Sequence, residues 1–463
     1  MDGGRGANLA SGHVDPAFQE PVLPQPTGGF LPATLQRRRE RVLAALGDGV
    51  MILPGGPVRY RSRDTEYRYR PDSELFYLTG VTEPETVAVL RGGAERSFVL
   101  FVRERSAEGE MWSGERLGPE RAQGLTAADR VHPTADLEKE LPELLHGPAR
   151  VYYRMGTEPR TDRLVLDALA RARARGARKG TGPRAILDPG EVLDDLRLIK
   201  DEEEILRLRE AARVTVEGFR AALAATHPGV GEWELEAVLD GAFRRAGADG
   251  AGYDTIVGGG HNACVLHYVE NRCVLGAGDL ALVDAGAAVG LYHADITRTF
   301  PVSGRFSGEQ RAVYEVVEAA RSAAVAATRP GATIAQVHDA AVAATVAGLI
   351  ALGVLKGGAD ELAQGEAHKP FFPHQTSHWL GLDVHDPGDY ARAGAARVLE
   401  PGMVFTVEPG LYFRAGVEGA AARFTGIGVR VEDDVLVTPT GCENLTGALP
   451  THPDRVAEMV GRG

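Results

Sequence analysis

Cysteine is scarce. Cys264, Cys273 and Cys442 are the three in 463 residues, too few and too unevenly spaced for a disulfide framework or a cysteine zinc site. A reducing compartment is the simplest fit. Lysine is nearly as rare: Lys139, Lys179, Lys200, Lys356 and Lys369 are all there are. Positive charge is therefore almost wholly arginine, which reads as coding bias and not as a binding signal. Basic residues are also outnumbered, 51 Lys and Arg against 64 Asp and Glu, for a formal charge of −13. That balance argues against nucleic acid as the main partner. No run of about 18 uninterrupted apolar residues occurs, so no membrane span is predicted. The start, Met1-Asp-Gly-Gly-Arg-Gly, lacks the basic residues and apolar core of a signal peptide. The expectation is a soluble, cytoplasmic protein with no membrane partner. No internal repeat of about 20–50 residues is found.

What is present is the composition of an ordinary globular protein, 44% apolar and 25% charged. At roughly 100–200 residues per domain, the length predicts two or three domains. Residues 1–30, rich in Gly, Pro and Ala, read as a mobile tail. From 31 to 190, apolar runs at Val50, Val87 and Phe98 alternate with helical stretches at 34–46 and 162–175, which predicts an α/β domain. A Gly/Pro/Arg stretch at 175–184 thins that pattern, and a boundary is placed near 190. The remainder, 191–463, opens on Asp201 with Glu204 three residues later, a capping-box start for a helix. Further helices are predicted at 232–246, 307–327 and 333–352. Strands are predicted at 280–284, 291–300, 403–408 and 428–437. This second domain is expected to be α+β with antiparallel strands.

Chemistry collects in four segments of the second domain. If 280–284 and 291–300 pair as a hairpin turning at Val289-Gly290, Asp284 and Asp295 stand directly opposite each other. Like charges so placed are destabilising unless a cation sits between them or both face solvent. His374, His378 and His385 crowd into 12 residues of the 463. Imidazole serves there as metal ligand or as donor to an oxyanion, unless neighbours simply satisfy it. The spacing of His374 and His378 echoes the zincin motif but lacks its glutamate. Glu408 closes a strand in which Thr406 shares its face, and Arg430 shares a face with Glu432 in the last strand. Those strands either expose a polar face or bury charges that need partners. Together, two Asp, two Glu and one His make a hard ligand set suited to two adjacent divalent ions.

These segments resemble the pita-bread metallopeptidases, and most closely the aminopeptidase P group, over about residues 30–450. The likeness includes Ser62-Arg-Asp-Thr-Glu-Tyr, Phe76-Tyr-Leu-Thr-Gly and Glu110-Met-Trp-Ser-Gly in the first domain. In the second it includes Leu266-His-Tyr, Val283-Asp-Ala-Gly, Asp295-Ile-Thr-Arg-Thr-Phe, the run from Ser377 to Asp386, Val407-Glu-Pro-Gly and Gly428-Val-Arg-Val-Glu-Asp. The resemblance implies an α/β N-terminal domain beside an α+β pita-bread catalytic domain with a curved antiparallel sheet. It implies a dinuclear exopeptidase that removes the residue before a penultimate proline. Asp284, Asp295, His378, Glu408 and Glu432 would be the metal ligands, with Asp295 and Glu432 bridging. A metal-bridged hydroxide would attack, with Glu408 as general base. His267 and His385 would stabilise the oxyanion, His374 would line the proline pocket, and Arg430 would orient carboxylates. Tyr253 would contact substrate. Asp64 and Trp112 would reach a neighbouring subunit's site in a homodimer or homotetramer. Mn2+ is the first choice of metal, with Co2+ or Zn2+ as alternatives. A prolidase and a non-catalytic binding protein of the same fold are the competing readings. Gln375 departs from relatives, which usually carry Gly after that histidine.

Overall fold

The computed structural model describes residues 29–462. Residues 1–28 of the stretch read as a tail lie outside the described residues. Phe30, at its end, is a correction to that reading: it is buried, with the guanidinium carbons of Arg38 and Arg207 at 4.2 and 4.1 Å from its ring centroid.

The first half is built on a mixed six-stranded sheet. Its order is Arg130–Pro133, Ser97–Val102, Val87–Arg91, Val50–Pro54, Arg150–Tyr152, Ala185–Leu187. The three central strands pair antiparallel and the flanking pairs are parallel. Alternate residues explain why these strands read as unbroken apolar runs. Met51, Leu53, Leu90 and Leu100 pack with Leu35, Val42 and Leu46 of helix Pro32–Leu46. Val50, Ile52, Val89 and Val99 pack on the opposite face with Leu141 and with Val165 and Leu169 of helix Pro159–Gly176. A sheet covered on both faces has no polar side to alternate with.

The second half carries helices Glu202–Ala225, Glu232–Arg245, Gly308–Ala327 and Ile334–Ala351 around short antiparallel strands. The capping box between Asp201 and Glu204 is present. Ile334–Ala351 is long and apolar enough in composition to cross a membrane. Its Val337, Ala341, Val346 and Leu349 are instead buried in clusters with Val317, Ala320 and Ala324 of helix Gly308–Ala327. Burial on one face and packing against a second helix account for its composition.

Strand Leu280–Ala285 pairs with Ile296–Pro301 so that Asp284 faces Thr297, not Asp295. The expected register is therefore off by two residues. The hairpin tip Ala287–Val289/Tyr292–His293 turns at Gly290-Leu291, both with positive φ, 55° and 67°. That is the two-residue turn whose twist suits a hairpin, and a leucine in its second place hides it from a search for glycines and asparagines. A slip of two preserves side-chain parity. Two expected strands are also interrupted. Asp295 lies just before strand Ile296–Pro301, and Glu432 lies between Gly428–Arg430 and Asp433–Thr438. At the first break a Cβ on Gly286 would sit 1.7 Å from the Ala294 carbonyl oxygen. Only glycine admits that approach.

Candidate metal centre

Both breaks and the histidine-rich loop open onto one cavity of about 420 Å³. It is lined by Asp284, Asp295, His378, Glu408 and Glu432, and by Tyr253, His267, His374, Gln375, Ser377, His385 and Arg430. Strand Leu280–Ala285 supplies Asp284, and strand Val404–Val407 delivers Glu408 at its end. The Glu408 amide donates to Thr376 O at 2.8 Å. His378 is pinned to the same strand, its carbonyl accepting from the Thr406 amide at 3.0 Å. Its Nδ1 lies 3.1 Å from Trp379 O, which assigns the proton to Nδ1 and leaves Nε2 facing the carboxylates. Nε2 is 3.4 Å from Asp295 and 3.8 Å from Glu408.

Donor atoms of Asp295, His378 and Glu432 lie within 4.8 Å of one another. Asp284 joins this triad through Tyr253, whose hydroxyl contacts Asp284 at 2.7 Å and also Asp295. Expected to touch substrate, Tyr253 is placed against the carboxylates themselves. Arg430 holds Asp284 at 2.5 Å through Nη2, Thr297 through Nε and Tyr412 through Nη1. Thr297 in turn donates to Glu432 at 2.6 Å. An exposed polar face is excluded for the last strands: Arg430, Glu432 and Thr406 are all buried.

Burial and crowding set the charges. Glu432 is pushed well above the usual carboxylate range by burial, then by Asp295 and Glu408. Asp295 is raised by burial and Asp284. Burial lifts Glu408 to about 7, against the pull of His378 and Arg430. His378 moves the other way. Burial disfavours its charge, but Asp295 and Glu408 raise it to about 9. His374 falls to about 4 through burial and the nearby Arg430, so it is neutral at pH 7, with Nδ1 2.8 Å from Gln375 O and Nε2 2.9 Å from the Tyr412 hydroxyl.

The carboxylates of Asp284, Asp295, Glu408 and Glu432 crowd together beside one arginine, so protons or cations must balance them. An oxygen-dominated set with one imidazole fits divalent ions such as Mn2+, Co2+ or Zn2+. The residues present therefore fit a dinuclear centre, with His374 and His385 beside it. The His385 ring centroid is 4.4 Å from that of His378, and His267 borders the cavity from an exposed loop. Asp64 and Trp112 are not brought to the site of their own chain. Asp64 lies at the tip of hairpin Tyr60–Ser62/Thr65–Glu66, and Trp112 is 81% exposed on helix Ala107–Ser113.

Several functional groups were not legible. Thr297 and Tyr412 read as ordinary strand residues, yet they link Arg430 to Glu432 and His374. Asp434 accepts the Asp295 amide at 3.0 Å. Arg298 and Arg321 both pair with buried Asp433, at 2.7 and 2.9 Å, and Arg298 also donates to the Glu432 carbonyl. An arginine inside the apolar strand Ile296–Pro301, with two aspartates after Glu432, was the available signal.

Residues 207–439 match the model of metallopeptidase family M24, and residues 35–152 that of the aminopeptidase P N-terminal domain. The Xaa-Pro aminopeptidase of Escherichia coli (strain K12) is 41% identical over 428 residues, covering 92% of this chain and 97% of that protein. The Xaa-Pro aminopeptidase 3 of Homo sapiens is 32% identical over 89% of this chain and 81% of its own length. The solved aminopeptidase PepP of Pseudomonas aeruginosa superposes with a TM-score of 0.89 at 42% identity, covering 93% of this chain and 98% of that one. A zinc-substituted E. coli aminopeptidase P in complex with product gives 0.89 at 40%, with the same coverage.

Proposed function

The chain belongs to metallopeptidase family M24, and from that premise we propose that it releases the first residue of peptides whose second residue is proline, using two divalent ions, Mn2+ first among them. It is a metal-dependent exopeptidase of the Xaa-Pro aminopeptidase kind. One observation carries the reading: Asp284, Asp295, His378, Glu408 and Glu432 converge on a single cavity with three further histidines.

Those five residues would hold the ions, whose chemistry when bound would be to supply a nucleophile at neutral pH and to polarise the scissile carbonyl. The chain's own groups do the rest. Glu408, at the end of its strand beside His378 in the cavity, takes a proton and returns it to the leaving amine. His267 and His385 donate to the carbonyl oxygen as it gains charge. Arg430, braced by Thr297 and Tyr412, keeps Asp284 aimed into the pocket. His374, neutral and bonded to Tyr412, offers a ring face to the proline side.

Asp64 and Trp112, exposed on their own chain, would serve a neighbouring site in a homodimer or homotetramer. The free thiols of Cys264, Cys273 and Cys442 support work in the reducing cytoplasm. The test is metal analysis of the purified protein alongside its rates on Xaa-Pro-Xaa peptides and Xaa-Pro dipeptides. Two equivalents of metal and equal or faster cleavage of the longer peptides are expected. A clear preference in kcat/KM for the dipeptide would make it a prolidase.

A further inference from the structure

His267 is exposed at the rim of the cavity, and no group among the described residues hydrogen-bonds its ring. Its position is therefore set by the backbone of its own loop. That loop, residues 260–273, follows strand Ile256–Gly259 and has one short 3-10 turn, Gly260–Cys264, and no other regular structure. Such a segment needs stays from outside if a side chain on it is to be held within a fraction of an ångström.

The stay is Glu232, the first residue of helix Glu232–Arg245, which is 0% exposed. Its Oε1 accepts from the Gly259 amide at 2.9 Å and from Asn262 Nδ2 at 3.1 Å. Its Oε2 accepts from the Tyr268 hydroxyl at 2.9 Å and from the Cys273 amide at 2.8 Å. The Glu232 amide closes the arrangement by donating to Cys273 O at 2.9 Å. Four donors, one at the end of the strand that leads into the loop and three in the loop itself, thus meet a single buried carboxylate, with Tyr268 directly following His267. Only an ionised carboxylate accepts at four positions and donates at none. A glutamine in its place would turn an N–H toward a backbone amide, that of Gly259 or of Cys273, which can only donate.

We infer that Glu232 is a positioning residue, acting on the reaction through His267. This rests on the function proposed above, and it assigns a role to a residue outside the cavity. Glu232→Gln preserves size and removes charge. Leaving buried donors unmet is costly, and the expected effect is a loss of at least about tenfold in kcat/KM for an Xaa-Pro-Xaa peptide, or ~1.4 kcal/mol, with metal content unchanged. The deciding measurement is a double-mutant cycle with His267→Ala. If Glu232 acts through His267, Glu232→Gln costs less than about threefold once His267 is gone. A loss of the same factor in both backgrounds overturns the inference, as does full activity of the single variant.

Hydrogen exchange on the metal-free proteins supplies a readout independent of turnover. The Gly259 and Cys273 amides should exchange at least about tenfold faster in Glu232→Gln, with the rest of helix Glu232–Arg245 unchanged. Unchanged loop amides would refute the stay even if the enzyme assignment stood, and failure of the wild type on Xaa-Pro peptides would refute the assignment alone. Should Glu232→Gln not fold, Tyr268→Phe removes one of the four donors. It must show a smaller loss, equally suppressed by His267→Ala, and an additive loss overturns the inference.

Discussion

Replacing Arg197 with methionine tests whether the turn between His378 and His385 is held by buried charge. Arg197 Nη2 bridges Asp383 and Asp386, each at 2.7 Å. Lys200 Nζ holds the other oxygen of Asp386 at 3.0 Å, with both side chains almost fully buried. Asp383 also accepts from Arg70 at 3.0 Å and Ser73 at 2.7 Å, across from the first domain. Removing one partner of a buried pair costs about 3–5 kcal/mol, because a charge is left behind. Lys200 still neutralises Asp386 and Arg70 still serves Asp383, so the low end, ~3 kcal/mol, is expected. For a unit of this size that is a fall in Tm of roughly 6 °C, read by calorimetry at pH 7. The pH dependence gives a second check. Burial opposes ionisation of Asp383, but Arg197 and then Arg70 and Ser73 hold its carboxyl down at about 2, against 3.8 ordinarily. A depressed acid stabilises the fold above its unfolded pKa and loses that contribution as pH falls through the folded value. The gap between wild type and variant should therefore be full above about pH 4 and narrow toward pH 2. A variant melting within about 1 °C of wild type, or a gap that widens with acid, refutes the reasoning.

Chelation should abolish peptide hydrolysis and Mn2+ or Co2+ should restore it, while Asp295→Ala should lose metal by mass spectrometry and at least about a thousandfold in kcat/KM. Replacing Asp64 or Trp112 with alanine should impair hydrolysis with metal content intact. Light scattering that finds a fully active monomer at assay concentration excludes a shared site. Gly286→Ala drives a Cβ to 1.7 Å from the Ala294 carbonyl oxygen, which must displace the residue before Asp295. Weaker metal binding by titration and a stability loss of about 1–3 kcal/mol are expected, and unchanged affinity would show that Asp295 is placed by other contacts.

The elements legible in the amino-acid order are those whose causes are local. The capping box of Asp201 and Glu204 closes within three residues, and Thr333 opens its helix by the same device. The doubly covered strands at Val50, Val87 and Phe98 announce themselves as apolar runs, because burial on both faces needs no partner's identity. The residue types that line the cavity were legible too, since four carboxylates and a histidine on apolar segments need partners or a cation if they are buried.

What tertiary structure decided is how these pieces meet. Asp284 faces Thr297 because the hairpin turns at Gly290-Leu291, a choice made where Leu291 donates its amide to Asp249, 42 residues away. Asp295 and Glu432 leave their strands at breaks that Gly286, Arg298 and Asp433 sustain. Glu232 looks like any acid in the first turn of a helix, where such residues favour the dipole. Its partners lie 27 to 41 residues ahead. Local preference spans a few residues, whereas a buried charge is satisfied by whatever the folded chain brings to it. Residue order alone therefore pointed to the capped helices, the doubly covered strands and the residue types that line the cavity, and only the packed fold decided the register, the breaks and the partners that aim each side chain.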